Sequence, residues 1–513
     1  MASPLTVRNL TPSAIIIKSL ECFEDPNMRQ SRATAFPSAV KHAQSIAPSA
    51  PELGLHAKSF KQQNVDVRLE PWESYTLRAP NLEKPEPRSS TLSITTFRIT
   101  VENEEHERFR IDTNPTYTQK ASRAFTPLTA SPSISYTALY HPMAPTAHLT
   151  IHSQHLLDYS KWMQDIADTL PLSAISIPGA HNAHTHYRAL PSVRCQVVDV
   201  ATQLAHGIRF LDIRVQPASA TDTSKKDLYL VHGAFPVSLT GTKYLDPVLD
   251  ACYKFLAENP SETVLVSLKR EGVGSATDAH LAAILEKHYI APHAEKWFVA
   301  ERIPYLREVR GKLVLVRRYQ LPNATTGSLL GLDATAWQHN STHAVHGHFC
   351  VQDFCEIMHP SLIPDKLHHS TAHLVRAAAL THFIPGVNTD PLNPIPPGPL
   401  YLNFLTGSNF FRTGTWPHKI AKVVNRGVEE WICKGHHLCE LGTETHEPEN
   451  MHAAALKKGE AVGGRDGEIR KVREGDGGAG VVVMDMLGEG GDWDLVKLIV
   501  GLNMGVMAKV KEG

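Results

Sequence analysis

From about residue 153 the chain alternates short apolar runs with stretches whose apolar residues recur at helical spacing. Strands are predicted at Ala174–Ile177, Phe210–Val215, Leu228–Val231, Thr263–Leu268, Leu313–Val316, Phe349–Val351, Leu400–Phe404 and Val481–Met484. Helices are predicted between several of them, at Pro247–Glu258 and Asp278–His288, and ahead of them over Leu156–Thr169, where Leu156, Leu157, Trp162, Ile166 and Leu170 share a face and Pro171 stops the helix. Eight strands alternating with helices close naturally into a TIM-like (β/α)8 barrel, so the expected class is α/β. Two long intervals, 320–348 and 435–480, the latter with the charged, Gly-rich stretch Gly463–Gly480, read as insertions at barrel ends.

Residues 1–150 follow another pattern. Leu5–Leu10, Ala14–Lys18 and Ser93–Val101 are short β-rich runs between Pro- and Ser-containing stretches, which predicts a small N-terminal β domain. Pro115–Pro145 reads as its exit or a linker, and disorder is the alternative over 30–90, where strand signals are weak. The expected division is therefore 1–150 for the β domain and 155–513 for the barrel.

Composition narrows the function. With 513 residues a large core is available, and Lys+Arg 51 against Asp+Glu 52 leaves a net charge of −1, which excludes a general nucleic-acid binder held by charge. Seven cysteines, thinly spread, fit reduced thiols rather than a disulfide framework. The first residues lack a basic segment followed by an apolar one, and apolar runs such as Gly480–Met484 fall far short of the roughly 20 residues of a membrane span. A cytoplasmic protein is expected, with any membrane attachment peripheral.

In an α/β barrel the carboxyl ends of the strands open onto the loops, and polar residues there build the site. The first strand leads into His181-Asn182, the second carries Asp212 and Arg214 on one face, the third ends in His232, the fourth runs into Lys269 and Glu271 on one face, and the eighth ends in Asp485. Two imidazoles around an arginine meet the chemical requirement for splitting a phosphodiester without a metal. One removes a proton from the attacking hydroxyl, the other protonates the leaving oxygen, and the guanidinium neutralises the non-bridging oxygens. A carboxylate that fixes the base in its working tautomer completes the set. Among 29 histidines a single strand-end imidazole signifies little; the joint pattern is the signal.

The segments Leu172–His181, Gln203–Arg214, Tyr229–Gly233 and Asn259–Lys269, with Val483–Met486, resemble the X domain of phosphatidylinositol-specific phospholipase C in its bacterial-type form, over about 155–510. The resemblance implies a phosphoric diester hydrolase that needs no cofactor or metal and acts on a phospholipid at a membrane surface through a cyclic inositol phosphate. It implies His181 as general base supported by Asp485, His232 as general acid, and Arg214 with Asp212 beside it at the phosphate. Contacts to the inositol ring fall on Lys269 and the adjoining Glu271, on Arg318 rather than Arg317, and on Asp353.

Two positions depart from the family's pattern. Asn182 stands where the bacterial enzymes commonly carry an Asp that assists the general acid, and Phe354-Cys355 stands near the expected ring-stacking aromatic. Asn182 raises the alternative of a catalytically weak lipid- or inositol-phosphate-binding module. A metal-dependent glycerophosphodiesterase-like enzyme is a second alternative, opposed by the missing Glu and Asp ligand pattern. Near His181, His184 and His186 read as surface or rim residues. His346–Cys350 with Cys355, and Cys433–Cys439, lack paired C-x-x-C spacing and read as free thiols with satisfied histidines.

Overall fold

The computed structural model describes residues 5–24, 61–77, 95–113, 123–141, 147–153, 158–321, 331–439, 469–470 and 472–512, with Leu53 and Ser59. The expected linker lies partly, and the stretch 30–90 and the insertion 435–480 lie largely, outside these residues. The chain divides into two compact units, Met1–His155 with Ile432–Arg473, and Leu156–Trp431 with Glu474–Gly513.

In the first unit, Leu5–Leu10 pairs in parallel with Ala147–Ser153 and antiparallel with Ser74–Leu77, inside a six-stranded sheet. A five-stranded sheet is built on Ile15–Glu24 and Thr95–Glu102. Leu5, Val7, Ile15, Ile17, Ile99 and Val101 from the two sheets belong to one buried core, as alternation on half-buried strands requires. Arg8, on the other face of its strand, is buried and donates to the carbonyls of Ile432 and His436, while Ile469–Arg470 pairs with Ser74–Tyr75. The described part of the segment expected as a barrel insertion at 435–480 is thus grouped, as far as Arg473, with the N-terminal unit.

The second unit is mixed α/β. Its strands are β1 (Ile177–Ala180), β2 (Phe210–Pro217), β3 (Leu228–His232), β4 (Val264–Arg270), β5 (Leu313–Arg318), β6 (Phe349–Gln352), β7 (Leu400–Phe404) and β8 (Val481–Met484). All but β3 run parallel in the order β5-β4-β2-β1-β8-β7-β6. Leu332–Asp333 extends the sheet beyond β5, and among the described residues no ladder joins that edge to β6. Val314, Val316 and Leu332 from one end share a single core cluster with Phe349 and Val351 from the other, so the sheet curls around one interior.

Three elements differ from the pattern-based expectation. The first strand begins at Ile177 rather than Ala174, because Leu172–Ala174 forms a 3-10 turn after Pro171 and Asn503 holds Ser176 through its N–H and its carbonyl. Gly179 then lets β2 approach, since a Cβ there would lie 3.1 Å from Phe210 Cβ. The third strand is no barrel stave. β3 pairs antiparallel with β2, Val215 against Leu230, because the connection after Pro217 contains no helix to carry the chain across for parallel pairing. The helix predicted over Leu156–Thr169 is a kinked 3-10 segment, Tyr159–Asp165. Its carbonyls are taken by arginines: Tyr159 and Ser160 accept from Arg209, and Met163 accepts from Arg310.

Arg209 also anchors the floor of the sheet. It and Glu262 are fully buried, joined Nε to Oε2 at 2.9 Å and Nη2 to Oε2 at 2.8 Å, while Glu262 accepts the Met163 N–H at 3.1 Å. Every charged atom has a partner, which a buried pair requires to offset its desolvation. Glu262→Gln leaves the guanidinium uncompensated and is expected to cost about 3–5 kcal/mol in denaturant unfolding; an unchanged midpoint would show that the carboxylate is not holding this floor.

Candidate active site

The site is the continuation of the core pattern by one more step. Side chains two apart on a strand share a face, so the inward positions Ile177, Phe210, Leu265, Val316, Val351 and Val483 form the apolar interior. The same inward face carries His181, Asp212 and Arg214, Lys269, Arg318, Asp353 and Asp485 where each strand leaves the sheet. Register sets their levels: Arg214 lies beside Lys269, and Lys269 beside Arg318. Three cations thus occupy one row across β2, β4 and β5.

Carboxylates interleave with this row. Arg214 Nη2 lies 3.0 Å from Asp212 Oδ2, and its Nη1 2.9 Å from Glu271 Oε1. Lys269 Nζ bonds the same Glu271 oxygen at 2.7 Å, and Glu271 Oε2 accepts the Gly233 N–H at 2.9 Å. Arg318 Nη1 is 3.4 Å from Asp212 Oδ1, and its guanidinium lies over Trp337 at 3.9 Å from the ring centre. Arg317 points to the opposite face and pairs with Asp333 at 2.9 Å, so strand alternation separates the two arginines. Burial pushes the Asp212 carboxyl up, but Arg214, Arg318 and His181 outweigh it and hold it below the ordinary range. Burial likewise opposes ionised Glu271, which Arg214 and Lys269 keep ionised. For Arg214, the attraction of Asp212 and Glu271 exceeds the burial penalty and holds the guanidinium charged.

His181 is fixed at both nitrogens. Its Nδ1 lies 2.8 Å from Asp485 Oδ1, which assigns that nitrogen the proton, and its Nε2 then accepts from Arg214 Nη2 at 3.1 Å. Gln196 pins the surrounding loop by donating to the carbonyls of His181 and Met484 at 2.8 and 2.9 Å. His232 stands across the mouth, its ring centre 6.0 Å from that of His181. Its Nδ1 donates to the Val193 carbonyl at 2.7 Å, which makes Nε2 the unprotonated nitrogen. Burial, then Arg214 and His181, hold its pKa down to about 3.

Several expectations change here. The Asn182 amide does not reach His232; its Nδ2 lies 3.2 Å from His181 Nε2 and 3.7 Å from Cys195 Sγ. The residue enters with φ +41°, which turns it back onto the preceding histidine and which Asn tolerates. Cys195, 3.8 Å from His232 Nδ1, and the Val193 carbonyl occupy the supporting position instead. His184, read as a rim residue, is buried, with Nε2 3.0 Å from the Val231 carbonyl, and so fixes the hairpin that carries His232. His232 itself arrives on that hairpin rather than at a stave end. Phe354 turns to His369, 5.1 Å between ring centres. Val193, Cys195, Gln196 and Trp337 sit in loops without periodicity, and nothing in their spacing points to the site.

His181, Cys195 and Asp485 offer donor atoms within 4.8 Å of one another, a set with metal-ligand chemistry. The His181–Asp485 pair already shares a proton, and the Arg214 guanidinium stands beside His181 as the local cation. The arrangement is better suited to moving protons and holding an anion than to binding a cation.

Residues 169–319 match the family model described as phosphatidylinositol-specific phospholipase C, X domain. The 1-phosphatidylinositol phosphodiesterase of Listeria monocytogenes is 30% identical over 167 residues, covering 30% of this chain and 48% of that protein. The protein of the same name from Staphylococcus aureus is 28% identical over 204 residues, 37% of this chain and 62% of that one. The chain thus spans about half to three fifths of these curated relatives. A solved structure of the phosphatidylinositol-specific phospholipase C from Staphylococcus aureus is similar over 67% of this chain and 98% of that one, at 18% identity and a TM-score of 0.47. The family matched is the one the motifs resemble, and the matched segment contains His181, Asp212, Arg214, His232, Lys269, Glu271 and Arg318, whereas Asp353 and Asp485 lie beyond it.

Because Arg214 is one of the charges that depress His232, Arg214→Met should raise the His232 pKa toward its ordinary value, the freed Asp212 and Glu271 adding to the shift. A histidine NMR titration of both proteins reads this directly; a His232 signal titrating at the same pH in both would refute the assigned coupling.

Proposed function

We propose that the chain is a phosphodiesterase cleaving phosphatidylinositol-type phospholipids by metal-independent acid–base catalysis, starting from the match of residues 169–319 to the phosphatidylinositol-specific phospholipase C X domain. The observation that carries this reading is the pairing of His181 Nδ1 with Asp485, which leaves Nε2 unprotonated and accepting from a guanidinium locked between Asp212 and Glu271, a contact the substrate hydroxyl would take over.

In this reading the inositol 2-hydroxyl gives its proton to His181 Nε2 as its oxygen attacks phosphorus. Asp485 stabilises the imidazolium that forms. Charge growing on the non-bridging oxygens falls on Arg214, already oriented and shielded from bulk water. The bond to the diacylglycerol oxygen breaks as His232 Nε2 delivers a proton to it, yielding diacylglycerol and a cyclic inositol phosphate; water then opens the ring with the two histidines exchanging roles. His232 is neutral at rest, and the incoming phosphate anion supplies the negative charge that lets it hold the proton it donates. Lys269, Arg318, Asp353 and Glu271 face the inositol hydroxyls, with Trp337 stiffening Arg318. Asn182 donates to the base rather than supporting the acid.

The curled sheet is proposed as a (β/α)8-like barrel preceded by a β domain. A lipid surface fits the rim: Phe411 is 90% exposed, and its neighbour Phe410 stacks on Phe235, in the hairpin that follows His232, at 4.1 Å. No helix among the described residues is long and apolar enough to cross a membrane. The free cysteines favour a reducing compartment, and the proposed location is cytoplasmic with peripheral attachment.

Incubated with phosphatidylinositol vesicles in chelator, the protein should release cyclic inositol phosphate. His181→Ala and His232→Ala should each lower turnover by roughly 10²–10⁴-fold with folding retained. Phosphatidic acid as the product, or near-wild-type turnover in either folded variant, would overturn the reading.

A further inference from the structure

Outside the mouth, strand alternation builds a second cluster. On β6, Phe349 and Val351 face the interior, which sends Cys350 and Gln352 to the outer face, with Tyr401 beside Cys350 in register on β7. The helix α1 (Ile363–Ala378) packs over this face and buries Lys366, Ser370, His373 and Ala377, a stripe at helical spacing. Around Gln352 the polar groups are matched: Lys366 Nζ donates to Gln352 Oε1 at 3.0 Å, and Gln352 Nε2 donates to Asn403 Oδ1 at 2.8 Å.

Around Cys350 they are not. His373 is fully buried, and neither ring nitrogen makes a hydrogen bond of ordinary geometry. Its nearest acceptor is the Cys350 carbonyl, at poor geometry, and an imidazole so sealed from water is costly, by about 1–3 kcal/mol per unpaired polar group, unless something binds it. What faces it is the Cys350 thiol, which the Tyr401 hydroxyl also approaches, the Tyr401 ring at 5.1 Å, and the imidazole of His343, a residue exposed on its outer side. The donor atoms of His343, Cys350 and His373 lie within 4.8 Å of one another, and Cys350 Sγ is 3.5 Å from His343 Nδ1. Ligands on a tetrahedral zinc, at about 2.0 Å for nitrogen and about 2.3 Å for sulfur, stand roughly 3.3–3.8 Å apart. The cluster needs only small side-chain adjustments to reach that spacing.

We propose that His343, Cys350 and His373 form a zinc-class metal site between β6 and α1, separate from the mouth, with its fourth position open to solvent beside His343. Two imidazoles and a thiol are borderline-soft donors that select zinc over magnesium or calcium. Burial holds His373 neutral, with a pKa near 3, which is the ligating form, and raises the Cys350 thiol, so binding releases the thiol proton and tightens as pH rises. Arg376 faces both histidines and opposes a cation, and the thiolate formed on binding offsets part of that charge. The ion ties α1 to β6, the strand that Asp353 directly follows. Sequence spacing around His346 and Cys350 does not reveal this set, because its third member comes from a helix on the far side of a turn.

The test is cobalt binding to the full chain after chelator stripping. One equivalent of Co²⁺ should give tetrahedral d–d bands with a thiolate charge-transfer band, and Zn²⁺ should displace it and raise the melting temperature. His343→Ala, on the exposed side, should fold normally and weaken binding by about tenfold or more; Cys350→Ser should abolish the charge-transfer band. His181→Ala, at the other cluster, should bind Co²⁺ like the parent. The absence of stoichiometric binding, a charge-transfer band that survives Cys350→Ser, or binding lost in His181→Ala but kept in His343→Ala would overturn the proposal.

Discussion

The second unit is organised around one electrostatic constraint, a guanidinium fixed below the mouth of the sheet by two carboxylates. Strands about 4.8 Å apart bring Arg214, Lys269 and Arg318 side by side. Three like charges at that spacing in a poorly solvated site repel strongly and favour local opening unless acids stand between them. Asp212 bridges Arg214 and Arg318, and Glu271 bridges Arg214 and Lys269. The result is a rigid lattice in which the Arg214 fork is aimed before any ligand arrives. In water the same alignment would be paid for at the moment of reaction; here folding has already supplied it.

Proton placement follows from that lattice. With Arg214 donating to Nε2 of His181, and Asp485 accepting from its Nδ1, one tautomer is selected, with Nε2 the unprotonated nitrogen. Burial, reinforced by the same positive charge, keeps His232 deprotonated. The imidazoles proposed as base and acid have different surroundings: one is backed by a carboxylate, the other by a backbone carbonyl and a thiol.

Much of this was legible from strand alternation. Because side chains repeat every two residues, Phe210, Asp212 and Arg214 had to share a face, and polar residues following an apolar inward series had to reach the mouth. Arg318 facing inward, with Arg317 opposite, is the same rule applied once more. The rest depends on chain reversals that periodicity does not encode. An apolar run such as Leu228–Val231 fits a parallel or an antiparallel strand equally well, and only the helix-free connection after Pro217 decides it. Asn182 turns on a positive φ that no pattern announces. His184 looked solvent-facing among its neighbours and is buried by a carbonyl 47 residues away. The His343–Cys350–His373 cluster likewise needs a helix laid over a strand before it exists.

The central claim, that an oriented guanidinium rather than a mobile point charge neutralises the phosphoryl oxygens, is tested most directly by turnover of Arg214→Lys on phosphatidylinositol vesicles with chelator present. Lysine keeps the charge and loses the fork, so the account predicts a fall in kcat of about 10²–10³-fold with KM little changed and the parent insensitive to chelator. A lysine variant within a few-fold of the parent, or a parent silenced by chelator and restored by a divalent cation, would contradict it.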